Sequence, residues 1–156
     1  MRVSVLAAAA VLSLAAAGVV FAALPKNKAL AIMHARHEGM EKIGDTNKLL
    51  RRELTSSAPF APAVKSGAAT IYGLSKQASG WFPAGTGPEM GNTGAKPEIW
   101  KTPQDFQAKL RNFQAAAAAF NAAAAAGDLN AAKARYADLG GTCKACHDSY
   151  RTEMHH

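Results

Sequence analysis

The sequence predicts an all-α protein, an antiparallel four-helix bundle. Three features carry that prediction. Apolar residues recur three and four positions apart in four separate runs, clusters of glycine and proline divide those runs, and no stretch shows the alternation or β-branched enrichment of a strand. Of the 156 residues, 49% are apolar but only 7% aromatic. Much of the apolar content is alanine, so the helices pack closely around few large side chains, and a bound prosthetic group would fill the missing volume.

Residues 1–22 read as a secretory signal peptide. Arg2 supplies the early charge, Val3 to Phe21 the apolar run, and the small residues that follow a cleavage site near Ala22 or Ala23. The run is nearly long enough to span a bilayer, so an uncleaved anchor competes with this reading. The alanine-rich composition and the small-residue ending favour cleavage. A single domain over 23–156 then remains in the periplasm, with no stable membrane insertion.

The first helix spans Lys26 to Leu54, free of proline, with Leu30, Met33, His37 and Met40 spaced for one face. Pro59 and Pro62 interrupt it. Val64, Ala68, Ile71, Ser75, Ala78 and Phe82 then give a second helix. Between Gly80 and Thr102 lie five glycines and three prolines, the composition of a long surface connection, whose ends Trp81, Phe82, Ile99 and Trp100 would pin to the bundle. Thr102 is placed as N-cap and Pro103 as first residue of a third helix, with Phe106, Leu110, Phe113, Ala117 and Phe120 in register. Gly127 ends it and Asp128 caps the fourth, whose stripe runs Leu129, Ala132, Tyr136, Leu139, Cys143, Cys146 and Tyr150.

Both cysteines of the chain fall on that stripe, in Cys143-Lys144-Ala145-Cys146-His147. This is the pattern to which haem c is attached: two thiols one helical turn apart add across the haem vinyl groups, and the adjacent histidine is placed to bind iron. The expected cofactor is therefore one covalent haem c near the C-terminal end of the last helix, with His147 as proximal ligand. A thioredoxin-like redox pair would need a βαβ setting, and a zinc site further ligands at matching spacing; neither is present in the sequence. His155 and His156 read as a solvated tail. In an up-down-up-down bundle the first helix runs antiparallel to the fourth, so the distal candidates are Met33, His34, His37 and Met40.

The stretch Gly141 to Arg151, together with Pro97-Glu98-Ile99-Trp100 and Gly127-Asp128-Leu129, resembles the cytochromes c prime over most of the mature chain. That resemblance implies a four-helix bundle with the haem held inside one end. It also implies a division by distal residue: five-coordinate, high-spin members bind nitric oxide or carbon monoxide, and the low-spin cytochrome c-556 subgroup has methionine as sixth ligand. The family pattern of arginine, distal residue four later and glycine four later again fits Arg36, Met40 and Gly44, which selects Met40 as distal ligand. By the same resemblance Arg36 and Arg151 are expected to neutralise a propionate or touch the haem edge. His37, Glu38 and Gly39 depart from typical members by placing polar and flexible residues beside the pocket.

The expected function is one-electron transfer with His/Met ligation in both oxidation states, so that little geometry changes. The alternatives are a five-coordinate protein binding NO or CO at an open distal site, and a thiol–disulfide enzyme. No catalytic acid, base or nucleophile stands in a recognisable arrangement, and the chain is not read as an enzyme. The net charge of +7 comes from scattered lysines and arginines that are not interleaved with aromatic residues, which argues against a nucleic-acid surface. It fits solubility and steering towards an acidic redox partner equally well. A homodimer is left open.

Overall fold

Proline, glycine and aspartate set the helix boundaries. The computed structural model describes residues 24–152; the expected signal peptide and the two terminal histidines lie outside the described residues. Helix α1 (Lys26–Thr55) follows Pro25, and α2 (Ala61–Gln77) carries Pro62 in its first turn, where a missing N–H costs nothing. Helix α4 (Pro103–Ala125) begins on Pro103, and α5 (Leu129–Tyr150) begins after Gly127, whose φ of 78° reverses the chain. Asp128 caps α5 as expected, accepting the Ala131 N–H at 2.9 Å.

α1 packs on α2, α2 on α4 and α4 on α5, in the order of an up-down-up-down bundle. Leu50, Val64, Ile71, Phe113, Ala117, Phe120 and Leu139 form the core between them. Gly67 lets α1 and α2 come close, since a Cβ there would lie 2.8 Å from a Leu50 methyl.

Four expectations need correction. The second helix ends at Gln77 and passes into a 3₁₀ turn, Ala78–Gly80, so Phe82 belongs to the connection. A short helix, α3 (Glu98–Lys101), lies within that connection. Thr102 makes no side-chain cap; its hydroxyl donates to the Glu98 carbonyl at 2.8 Å and meets the Tyr150 hydroxyl at 2.9 Å. On α1, Leu30 and His37 face outward, and the buried stripe is Ala29, Met33, Arg36, Gly39, Thr46, Leu50 and Leu54. The stripe is displaced because small residues admit close neighbours and because Arg36 finds acceptors under the connection.

That connection is bound at both ends. Trp81 and Ile99 are buried, Trp100 donates its indole N–H to the carbonyls of Phe82 and Pro83, and Phe82 meets Phe106 edge-on at 4.8 Å. Its far end pairs with the chain leaving α5: Lys96 N–H donates to the Tyr150 carbonyl and Thr152 N–H to that of Gly94, forming an isolated bridge between Ala95 and Arg151.

Charge is arranged unequally on the surface. Every carboxylate of the described residues has a partner: a basic side chain, a backbone N–H, or both. Lys26, Lys28, Lys42, Arg51, Lys65, Lys96, Arg111, Lys133 and Arg151 form no ion pair among the described residues. No helix among the described residues is long and apolar enough to cross a membrane.

Candidate haem site

Cys143 and Cys146 stand one turn apart on α5, both half-buried, with His147 half-buried beside them. Leu139 below and Tyr150 above are buried, so the motif occupies a less covered stretch between two buried positions of the same helix. Lys144 and Asp148 pair at 2.6 Å on the exposed side of the helix. Burial pushes both thiols above the ordinary cysteine value. Burial, and then the Arg151 charge, holds His147 below the ordinary histidine value against the opposing pull of Asp148. A neutral imidazole is the form that ligates a metal.

The register of α1 against α5 follows from one contact. The Tyr136 hydroxyl lies 2.6 Å from Asn47 Oδ1 and donates to the Asn47 carbonyl at 3.0 Å. In antiparallel helices, residues seven before Asn47 and seven after Tyr136 lie level, and these are Met40 and Cys143. On α1 no residue between Gly39 and Thr46 is buried, and Met40 and Ile43 are half-covered; on α5 the same holds between Leu139 and Tyr150. Gly44, Gly140 and Gly141 have nothing within 4 Å of where a Cβ would sit. The two incompletely covered stretches thus lie at one height in the bundle.

The donor set fits a haem c. Two thiols at helical spacing are what covalent attachment to the haem vinyl groups requires, and a neutral imidazole next to the second, with a thioether on the opposite helix, are the borderline and soft ligands that the iron of such a group takes. Among the distal candidates, His34 and His37 point away, paired with Glu38 and Glu41 along the exposed face of α1. Met33 is buried and lies near Gly91 of the connection. Met40 alone of the four shares the half-covered stretch level with the motif.

Arg151 and Arg36 differ. Arg151 is exposed, and its charge acts on His147. Arg36 is buried, with burial lowering its pKa and Glu89 opposing. Its Nη1 donates to Trp81 O at 3.1 Å and Thr86 Oγ1 at 3.3 Å; its Nη2 donates to Thr86 O and Thr93 Oγ1, both at 2.9 Å. Its guanidinium also lies 5.1 Å from the centre of the Phe82 ring. Of five N–H donors, only that on Nε is uncommitted. Sequence reasoning did not find Thr86, Thr93 and Trp81 as partners of α1. The signal was present in Ala29, Met33, Arg36, Met40 and Ile43, which keep the three-and-four spacing once the arginine is admitted to the stripe.

The family model described as Cytochrome C' matches residues 31–151. Cytochrome c' from Alcaligenes xylosoxydans xylosoxydans is 41% identical over 95 residues, 60% of this chain and 72% of that protein. Cytochrome c-556 from Agrobacterium fabrum is 30% identical over 152 residues, 97% of each chain. Among solved structures, a ferrous variant of cytochrome c prime from Alcaligenes xylosoxidans with bound NO superposes with a TM-score of 0.73 at 28% identity, covering 81% of this chain and 97% of that one. With its helical bundle and Cys-x-x-Cys-His motif, the chain belongs to the cytochrome c' family and is a c-type cytochrome whose cofactor is one covalent haem c.

Proposed function

We propose that the protein transfers single electrons in the periplasm through a haem c attached at Cys143 and Cys146, with His147 as proximal and Met40 as distal iron ligand. The observation that supports this most is the position of Met40: a thioether on the incompletely covered stretch of α1, level with Cys143. Haem c, when bound, supplies the ferric/ferrous couple. The chain's residues supply the rest. His147 is kept neutral by burial and by Arg151, and Tyr150 anchors the end of α5 by donating to Asp105 Oδ2 at 2.6 Å. Leu139 and the α4 core hold the motif's helix in place. Arg151, exposed beside His147, is the better placed of the two arginines for a propionate. Residues 1–22 serve as the export signal, and the excess of positive charge suits an acidic redox partner.

A second reading, an open distal site that binds NO or CO, is favoured by the NO-bound relative. The spin state of the purified ferric protein separates the two. Low-spin iron that resists carbon monoxide after reduction supports Met40 ligation; high-spin iron in the wild type assigns the protein to gas binding.

A further inference from the structure

Arg36 is the single buried charged side chain among the described residues. A buried cation is tolerated only when its donors are met, and here they are met by neutral oxygens of one segment, Trp81 to Thr93. One side chain on α1 thereby holds both ends of that segment. On the next turn the indole of Trp81 lies over Gly39, where a Cβ would collide with the ring. Arg36 and Gly39 thus grip the connection from one side of α1, and Met40 follows Gly39 by one residue, about 100° around the helix. Any rotation of α1 that turned Met40 away from α5 would break the guanidinium bonds and drive the helix backbone at Gly39 against the indole.

We propose that Arg36 is a positioning residue: by clamping residues 81–93 onto α1 it fixes the helix rotation at which the Met40 thioether meets the motif on α5. This rests on the assignment of Met40 as ligand. It differs from a propionate contact, because the group that Arg36 serves is the connection.

The test uses the mature, haem-loaded protein in three forms: Arg36→Lys, which keeps charge but loses the planar fork; the double variant Thr86→Val with Thr93→Val, which leaves Arg36 intact and removes two of its acceptors; and Met40→Leu. Mass spectrometry checks that haem remains attached. The clamp predicts that both Arg36→Lys and the double variant lose part of the ferric methionine-to-iron charge-transfer band. It also predicts that their ferrous forms bind carbon monoxide about tenfold faster, in proportion to the fraction with Met40 displaced. If both variants melt earlier but keep wild-type spectra and carbon monoxide rates, Arg36 is merely structural and the proposal is overturned. If Arg36→Lys changes the spectra and the double variant does not, Arg36 acts on the haem directly, which overturns it as well. Met40→Leu reads the ligand assignment separately. An unchanged low-spin spectrum there removes that assignment, whereas a high-spin Met40→Leu alongside wild-type-like clamp variants removes the clamp alone.

Discussion

A thioether is a soft ligand with no charge, and what Met40 contributes can be separated from its packing. Met40→Leu keeps the apolar volume, so the stability change is expected to stay below about 1.5 kcal/mol. Ferric iron is expected to become five-coordinate and high-spin and the reduction potential to fall, while Met33→Leu, under the connection, changes neither. Optical spectra and potentiometry check this, and a low-spin Met40→Leu would return the search to other ligands. Tyr150 poses a different question at the proximal end. Its hydroxyl donates to Asp105 and meets Thr102, and burial first, then the Asp105 hydrogen bond, raises its pKa above the ordinary tyrosine value. A raised folded value means that the native state holds the proton more tightly than the unfolded chain. The resulting stability is complete below about pH 10 and is lost as pH climbs through the folded value. Thermal melts are expected to show a fall above that pH, and Tyr150→Phe to lessen it, leaving the part due to Tyr136, whose pKa burial also raises, while costing about 1–2 kcal/mol at neutral pH.

The helices depend on a few backbone positions that substitutions can probe. Gly67→Ala would push a methyl against Leu50 where α1 and α2 cross, and is expected to cost about 1–3 kcal/mol of unfolding free energy. Gly73→Ala on the same helix has open space and serves as its control. Equal urea midpoints for the two would show that the crossing relaxes freely. These long elements were legible in the sequence because Pro62, Pro103, Gly127 and Asp128 act locally, through φ, missing N–H groups and a side-chain cap. The motif on α5 was legible for the same reason: its chemistry is fixed by a spacing of three. The four-residue α3 was not, since one turn leaves no periodicity to detect. Nor was the face of α1. Arg36 reads as a haem-edge or propionate contact and not as a tie to the connection until its acceptors, 45 to 57 residues away in the chain, are known, and Gly39 reads as flexible until Trp81 is seen against it.

Taken together, the bundle has two ends of different character. Around Leu54, Val64, Phe120 and Ala124 the helices meet through their own side chains, whereas between Met40 and the Cys143–His147 motif the covering is incomplete. Removing both thioether bonds by Cys143→Ala with Cys146→Ala is therefore expected to loosen the bundle from one end only. Hydrogen exchange should accelerate across residues 33–44 and 140–150, while amides near Leu54 and Phe120 stay protected. Uniform acceleration would mean that the haem end and the far end fold as one cooperative unit.

The partnering of every described carboxylate has a consequence for encounter rates. Six of these carboxylates, Asp45, Glu53, Glu98, Asp105, Asp138 and Asp148, lie within 4 Å of a lysine or arginine, so their field dies close to the surface, and the unpaired lysines and arginines, which outnumber the remaining carboxylates, dominate the potential at a distance. Such a field reaches only about 8 Å at physiological ionic strength and about 30 Å at 0.01 M. Electron exchange with an acidic partner should accordingly slow steeply as salt is added, and exchange with a small neutral oxidant should not. Stopped-flow rates over that range measure the difference, and parallel salt curves for the two oxidants would show that the unpaired cations serve solubility alone.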